Sequence, residues 1–287
     1  MAERMIDVDG VELCTKAFGD PGDPPILLVH GLGASMLWWD EAVCTRLADH
    51  GRFVVRYDHR DTGRSTAWPP GQPGYDGFAL DADALGVLDA LGLADAHLVG
   101  ISAGGGVAQA LALTHADRVR SLVLMSTSPG TTADRDLPGP TAAIGAFLET
   151  AQVDWDDPDS VVEHLVGWSR ALAGDRREFD EQAWRELVRR DVARTRSVAS
   201  LQNHDLLSHD GGPDAPLSSI TAPTLVVHGD ADPLFPLAHG AALAAEIPGA
   251  TLLALDGAGH GLDVRDHDAV VDAIADHTRR ADRAAGR

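Results

Sequence analysis

Residues 98–106 read Leu98-Val99-Gly100-Ile101-Ser102-Ala103-Gly104-Gly105-Gly106, and this stretch is the strongest structural signal in the chain. An apolar strand pattern runs into a serine between small residues, and an Ala-rich helical pattern begins directly after it. So sharp a strand-to-helix turn strains the backbone of Ser102 and points its hydroxyl outward. A Cβ at Gly100 or Gly104 would collide with the neighbouring strand or helix. The stretch predicts a nucleophile elbow, with an incidental serine in a Gly-rich turn as the alternative.

A histidine near the end of the chain is predicted to activate this serine. A serine hydroxyl is a weak nucleophile at neutral pH and needs a base that takes its proton. His260 follows the strand predicted at residues 251–255, and Gly259 and Gly261 on either side suit a loop that brings the ring to the elbow. Because imidazole titrates near neutral pH, His260 can accept the proton and return it.

The base needs a carboxylate that orients it, and two aspartates compete for this role. Asp230 and Asp232 both follow the strand predicted at residues 224–229. We favour Asp232, which lies further into the loop, before the turn that Pro233 fixes, and we keep Asp230 as the alternative. The orienting acid could also follow the strand after the elbow. Residues 126–128 at that place read Ser-Thr-Ser and offer no carboxylate, which disfavours this arrangement.

Two backbone N–H groups are predicted to bind the negative oxygen that forms during attack on a carbonyl. One belongs to Ala103, which begins a helix whose positive end favours an anion. The other belongs to Leu32, in the run His30-Gly31-Leu32-Gly33 that follows a predicted strand. The two glycines let the backbone turn the N–H of Leu32 towards the pocket, and His30 is expected to be structural.

Short apolar runs alternate with helical patterns along most of the chain, which predicts a parallel sheet with right-handed crossovers. Strands are predicted at residues 11–17, 25–30, 53–58, 97–101, 121–126, 224–229 and 251–255. The stretch from Pro129 to Ser219 breaks this alternation with helical patterns alone. We therefore predict an α/β fold with a mostly parallel eight-stranded sheet and helices on both faces. Residues 1–128 and 220–287 would form its core, and residues 129–219 a helical cap over the carboxyl edge, where such sheets bind ligands.

Aromatic side chains supply candidates for an apolar substrate pocket. They lie after the strand at residues 25–30 or in the predicted cap: Trp38, Trp39, Trp155, Trp168 and Trp184. The charged run from Asp58 to Ser65 is predicted to be a salt-bridged loop that braces the oxyanion loop, which is our name for the run from His30 to Gly33. His164, His204 and His209 lack the spacing of metal ligands, so we expect no metal and no cofactor.

Composition disfavours several classes of partner. The 287 residues carry a formal net charge of −21, and nucleic acids and anionic membranes both require basic patches. The sequence contains no run of about 18 apolar residues, so no membrane span is predicted. The first residues lack the basic start and apolar core of a signal peptide. Cys14 and Cys44 are expected to be reduced. Both features predict a cytoplasmic location. The oligomeric state stays open between monomer and homodimer.

Together these segments resemble the α/β-hydrolase superfamily, in particular its capped, serine-type esterase branch. The order Ser102, Asp232, His260 along the chain fits this branch. Within that branch, Tyr57-Asp58-His59-Arg60-Asp61-Thr62-Gly63-Arg64-Ser65-Thr66, Pro223-Thr224-Leu225-Val226, Asp232-Pro233 and His239-Gly240 resemble the anthracycline (aclacinomycin) methylesterases of actinomycetes. The resemblance implies an α/β-hydrolase fold and hydrolysis of a methyl ester on a polyketide.

The residues favour a serine hydrolase that cleaves a carboxylic ester of a small or medium apolar molecule through an acyl-enzyme intermediate. Lactone opening, carbon–carbon bond hydrolysis and perhydrolysis use the same three residues and stay open, because fold and triad do not separate them. A receptor that binds a small molecule on a hydrolase scaffold without turnover is the alternative of another class.

Overall fold

One eight-stranded sheet forms the centre of the computed structural model, which describes residues 1–130, 135–208 and 215–286. Its strands are β1 (Arg4–Val8), β2 (Val11–Phe18), β3 (Pro25–Val29), β4 (Phe53–Tyr57), β5 (Ala96–Ile101), β6 (Val119–Met125), β7 (Thr224–Gly229) and β8 (Thr251–Leu255). Their spatial order is β1-β2-β4-β3-β5-β6-β7-β8. β2 pairs antiparallel with β1 and β4, and the other neighbouring strands are parallel. The mostly parallel eight-stranded sheet predicted from the sequence is confirmed.

Helices connect the strands from β3 to β8. Within the described ranges they are α1 (Glu41–Asp49), α2 (Phe78–Ala90), α3 (Ala103–Thr114), α4 (Ala142–Thr150), α5 (Pro158–Leu172), α6 (Glu181–Arg194), α7 (Ala238–Glu246) and α8 (His267–Ala284). The start of α5 carries a clear sequence signal, because Asp157 accepts a hydrogen bond from Asp159 N and Pro158 occupies the first helical position. None of these helices combines the length and apolar character that a membrane span requires.

The central strands are buried on both faces, as their unbroken apolar sequences require. In β3, Leu27 and Val29 contribute to one apolar cluster, which includes residues of α2, α3 and α7. Ile26 and Leu28, which alternate with them, contribute to the opposite cluster with residues of α1 and α8. The sheet is therefore a buried layer, and polar groups at its carboxyl edge are held on a rigid support.

The first strand is absent from the sequence predictions, although its turn carries a signal. β1 and β2 form a hairpin whose turn residues, Asp9 and Gly10, have φ angles of 50° and 85°. An Asp-Gly pair is favoured where both central residues of a hairpin need positive φ. Only Ile6 and Val8 of β1 are buried, which gives the short alternating pattern of an edge strand.

The chain between β6 and β7 is helical, as predicted, and forms no strand among its described residues. It contains α4, α5, α6 and the 3-10 helix Val198–Leu206, and α5 packs on α6 through a separate apolar cluster. Residues 131–134 and 209–214, and with them His209, lie outside the described residues. The assignment of residues 129–219 as a cap remains a prediction.

Candidate active site

Ser102 lies at the junction of β5 and α3 with φ 54° and ψ −124°, a conformation that non-glycine residues rarely adopt. Its backbone is held on both sides, since Ser102 N donates to Met125 O at 2.9 Å and Thr127 Oγ1 donates to Ser102 O at 2.7 Å. A Cβ on Gly104 would clash with the backbone of β3 and of the loop that follows it. The tight packing of α3 on the sheet therefore holds the strained serine in place.

His260 and Asp232 come together at the same edge of the sheet. Nδ1 of His260 lies 2.9 Å from Oδ2 of Asp232, and the Asp232 side chain is buried. The other carboxylate oxygen, Oδ1, accepts hydrogen bonds from Leu234 N and Phe235 N, both at 2.9 Å. Because the carboxylate orients the ring through Nδ1–H, the lone pair of Nε2 is available to accept a proton.

The competing aspartate points elsewhere. Asp230 Oδ1 lies 2.8 Å from Arg176 Nη1 and accepts a hydrogen bond from Gly257 N at 2.6 Å. The bond from Gly257, together with the charge of Arg176, lowers the pKa of Asp230. Asp230 thus ties the strand ends to the segment that follows α5, whereas Asp232 reaches the imidazole of His260.

The loop after β3 approaches Ser102 closely, since a Cβ on Gly31 would lie 3.0 Å from Ser102 Cβ. Leu32 follows in the wall of the cavity that Ser102 and His260 share. Ala103 also lines this cavity, and as the first residue of α3 it has no carbonyl within its helix to accept its N–H. Ala103 directly follows Ser102 in the chain and Leu32 lines the same cavity, and their assignment as oxyanion donors stays a prediction.

Imidazole groups hold this loop. His30 Nδ1 accepts a hydrogen bond from Gly31 N at 2.7 Å, and His59 Nε2 donates to His30 O at 2.9 Å. Burial, with a smaller contribution from the nearby His59, lowers the pKa of His30 to about 3, so its ring is neutral at neutral pH. These contacts agree with the structural role expected for His30.

The charged run after β4 folds into a network of buried hydrogen bonds. Asp58 accepts from Met36 N at 2.8 Å and Arg64 N at 2.9 Å, and it pairs with Arg194 of α6 at 2.8 Å. Burial raises the pKa of Asp58, and the charge of Arg194 opposes this rise. The run therefore joins the segment after β3 to α6, in line with the bracing role predicted for it.

A cavity of about 740 Å³ opens in front of Ser102 and His260, a volume that suits a drug-sized ligand. Four of the five candidate tryptophans line it: Trp38, Trp155, Trp168 and Trp184.

Trp39 does not line the cavity, and the prediction that it belongs to the substrate pocket is wrong. It is 1% exposed and belongs to the apolar cluster that includes residues of α1 and α8. Phe147 and Phe235, which the sequence did not single out, also line the cavity.

The cavity wall contains a carboxyl group that pairs with no described residue. Asp81, in the first turn of α2, makes no hydrogen bond or ion pair through its side chain with any residue that the structure describes. Burial, and to a lesser extent the charge of Asp76, raises the pKa of Asp81 to about 7. Its apolar setting in the run Phe78-Ala79-Leu80-Asp81 is the only signal for it in the sequence.

Asp81→Asn is expected to stabilise the protein at pH 8 more than at pH 5. The folded state holds a proton on Asp81 up to about pH 7, whereas the unfolded chain releases it near pH 3.8, so the wild type loses stability as pH rises through this window. The difference in free energy of unfolding between variant and wild type should grow by up to about 3 kcal/mol from pH 5 to pH 8. Urea unfolding at both pH values measures it. Asp89→Asn, at the exposed end of α2, is the control, and an equal effect in both variants would contradict the prediction.

Comparisons with known proteins agree with this fold. A family model described as "alpha/beta hydrolase fold" matches residues 24–262. Rhodomycin D methylesterase DauP of Streptomyces sp. (strain C5) and rhodomycin D methylesterase DnrP of Streptomyces peucetius are each 33% identical to this chain over 297 residues, covering 98% of this chain and 99% of the relative. The resemblance to anthracycline methylesterases is confirmed. Among solved structures, an esterase from Exiguobacterium antarcticum superposes with a TM-score of 0.77 at 23% identity, covering 96% of this chain and 98% of that one, which supports the fold.

Proposed function

Because the chain belongs to the alpha/beta hydrolase fold family, we propose that it is a carboxylic-ester hydrolase with Ser102 as nucleophile, His260 as base and Asp232 as orienting acid. One observation carries the proposal: His260 Nδ1 bonds a buried carboxylate at 2.9 Å, and its ring lines the same cavity as a serine at a strained strand-to-helix turn. A carboxylate on one ring nitrogen leaves the other free to take the proton of a hydroxyl.

In the first half of the reaction, Ser102 Oγ attacks the ester carbonyl carbon while its proton passes to His260 Nε2. The negative oxygen of the tetrahedral intermediate accepts hydrogen bonds from the N–H groups of Leu32 and Ala103. The bond to the leaving alcohol then breaks, and His260 returns the proton to the alcohol oxygen. An acyl group remains on Ser102.

In the second half, water enters after the alcohol has left. His260 takes a proton from this water as its oxygen attacks the acyl carbon, and the same two N–H groups bind the second oxyanion. The bond to Ser102 Oγ breaks, and the proton on His260 restores the hydroxyl. Asp232 keeps the ring in the correct tautomer and stabilises its transient positive charge in both halves. These steps use only the named side chains, two backbone groups and water.

We propose a methyl ester on a bulky apolar molecule as the substrate. Support comes from the two relatives named as rhodomycin D methylesterases and from a cavity of about 740 Å³ with aromatic walls. Aromatic side chains bury large flat surfaces of a ligand, so they favour a ring system over a short acyl chain.

The helical segment at residues 129–219 is proposed as the cap that shapes this cavity. Trp155 lies just before α5, Trp168 within α5 and Trp184 within α6, and all three face the cavity that Ser102 shares. Phe147 of α4 lines it as well. Substitutions in these helices should therefore affect the choice of ester more strongly than they affect the rates of the catalytic steps.

A substrate panel combined with covalent labelling tests the proposal. A fluorophosphonate is expected to attach to Ser102, and mass spectrometry of the labelled peptide identifies the site. The methyl ester of a three-ring aromatic acid should exceed methyl acetate by at least about 100-fold in kcat/KM, since burying roughly 120 Å² more apolar surface contributes about 3 kcal/mol.

Three results would argue against this assignment. Labelling of a residue other than Ser102 would contradict the assignment of Ser102 as the nucleophile. Faster turnover of lactones or diketones than of every ester tested would indicate that the same residues catalyse a different reaction. A labelled protein that shifts its melting temperature with ligands but shows no sustained turnover would favour a receptor.

A further inference from the structure

A histidine of the helical segment contacts the oxyanion loop directly. His204 lies in the 3-10 helix Val198–Leu206 and is 2% exposed. Its Nδ1 accepts a hydrogen bond from Gly33 N at 2.8 Å, and its Nε2 lies 2.8 Å from Arg60 O. A backbone N–H can only donate and a carbonyl can only accept, so the ring must carry its proton on Nε2 alone. Burial, together with the charge of His59, lowers the pKa of His204 to about 3, which keeps this neutral form in place.

The position of this contact along the loop gives it a consequence. The peptide that carries the N–H of Leu32 lies between two peptides that are each held by an imidazole, at Gly31 by His30 and at Gly33 by His204. Gly33, directly after Leu32, has a φ of 68°, which lies in the left-handed region that favours glycine. The N–H of Leu32 itself has no acceptor among the residues that the structure describes. Fixing both neighbours leaves this N–H with one orientation.

Other contacts between the helical segment and this part of the chain lie further from Leu32. Trp38 Nε1 donates to Asp191 of α6 at 2.6 Å, and Arg194 of the same helix pairs with Asp58. These contacts hold the end of the loop and the strand end beside it. Among the described residues, His204 is the one from the helical segment that bonds the Gly31–Gly33 stretch.

We propose that His204 is a positioning residue for the reaction: by accepting from Gly33 it holds the N–H of Leu32 in the orientation that meets the developing oxyanion. The proposal rests on the proposed function, since it assigns Leu32 as a donor. Oxyanion donors accelerate a reaction only when they already point to the place where charge develops. Loss of the Gly33 contact should therefore lower kcat and leave substrate binding nearly unchanged.

Two substitutions separate the two hydrogen bonds of His204. In His204→Asn, Oδ1 takes the place of Nδ1 and can still accept from Gly33, but the bond to Arg60 O is lost. In His204→Gln, Nε2 takes the place of the ring Nε2 and can still donate to Arg60 O, but the acceptor for Gly33 is lost. Each variant loses one buried hydrogen bond, so their losses of stability should be similar.

We expect His204→Gln to lower kcat about 10- to 100-fold with KM within about threefold of wild type, a loss below that for complete removal of a donor. His204→Asn should retain kcat within about threefold. Affinity for a trifluoromethyl ketone, which forms a tetrahedral adduct with the serine, should fall in parallel with kcat in the Gln variant. His277→Asn is the control, because His277 is a buried histidine of α8 outside the cavity that donates to Pro223 O. Equal losses in the two His204 variants would overturn the proposal.

Amide hydrogen exchange gives a second measurement that does not depend on turnover. The amide of Gly33 should exchange faster in His204→Gln than in wild type or His204→Asn, because only the Gln variant lacks its acceptor. Unchanged exchange in the Gln variant would also overturn the proposal. A wild type that is not labelled at Ser102 would count against the proposed function instead, so the two failures are distinct.

Discussion

Ser102→Ala is expected to lower turnover of an ester by at least about 10³-fold while the protein remains folded. The reaction then lacks the hydroxyl that the proposed mechanism places beside His260 and the N–H groups of Leu32 and Ala103. Residual turnover would come from binding and from those donors acting on attack by water. Initial rates with a chromogenic ester, together with a thermal melt of each variant, measure the effect.

The strain at Ser102 adds a second readout to this experiment. A residue with a Cβ at φ 54° is disfavoured, whereas glycine adopts this conformation without strain. Ser102→Gly should therefore be as inactive as Ser102→Ala and more stable than it by about 1 kcal/mol. Such a result would indicate that the strain is retained for the position of the hydroxyl.

Ser128 provides a matched control, because it is a second serine in the wall of the same cavity. Its Oγ bonds His239 Nδ1 at 2.8 Å and not a member of the His260–Asp232 pair. Ser128→Ala should change turnover by less than about tenfold, as expected for loss of a peripheral hydrogen bond. Comparable losses in the Ser102 and Ser128 variants would contradict the assignment of the nucleophile.

The parts of the site that the sequence predicts are those in which a short local pattern has one physical solution. Ser102 could be placed because a strand, a glycine-flanked serine and a helix follow one another within nine residues. His260 and Asp232 could be placed because each follows a strand, and strand ends meet at one edge of a parallel sheet. The same reasoning recovered the mostly parallel sheet, whose central strands are unbroken apolar runs.

The parts that escaped prediction depend on contacts between distant segments. The sequence gives no reason to separate Trp38 from Trp39, yet Trp38 reaches Asp191 and lines the cavity while Trp39 turns into the core. The bond between Gly33 and His204 joins residues 171 positions apart, and no local pattern encodes it. Asp81, which pairs with no residue that the structure describes, likewise becomes unusual only when the cavity around it is known.

Asp232→Asn is expected to lower kcat on the order of 10³- to 10⁴-fold. An amide at this position can donate to Nδ1 of His260, which favours the tautomer with the proton on Nε2. That tautomer cannot accept the proton of Ser102, and no negative charge remains to stabilise the imidazolium that forms during attack. The fold should survive, because Oδ1 can still accept from Leu234 N and Phe235 N. Steady-state kinetics at several pH values, with a melting curve for each variant, measure the loss.

Asp230→Asn is the matched control, two residues away on the same loop. It weakens the pair with Arg176 and keeps an oxygen that can accept from Gly257 N, so its kcat should stay within about tenfold of wild type. The two variants differ in chemistry only by which carboxylate is neutralised, and only one of these carboxylates bonds the ring of His260. If Asp230→Asn lost activity as severely as Asp232→Asn, the loop as a whole would be what matters, and the assignment of the acid to one residue would be wrong.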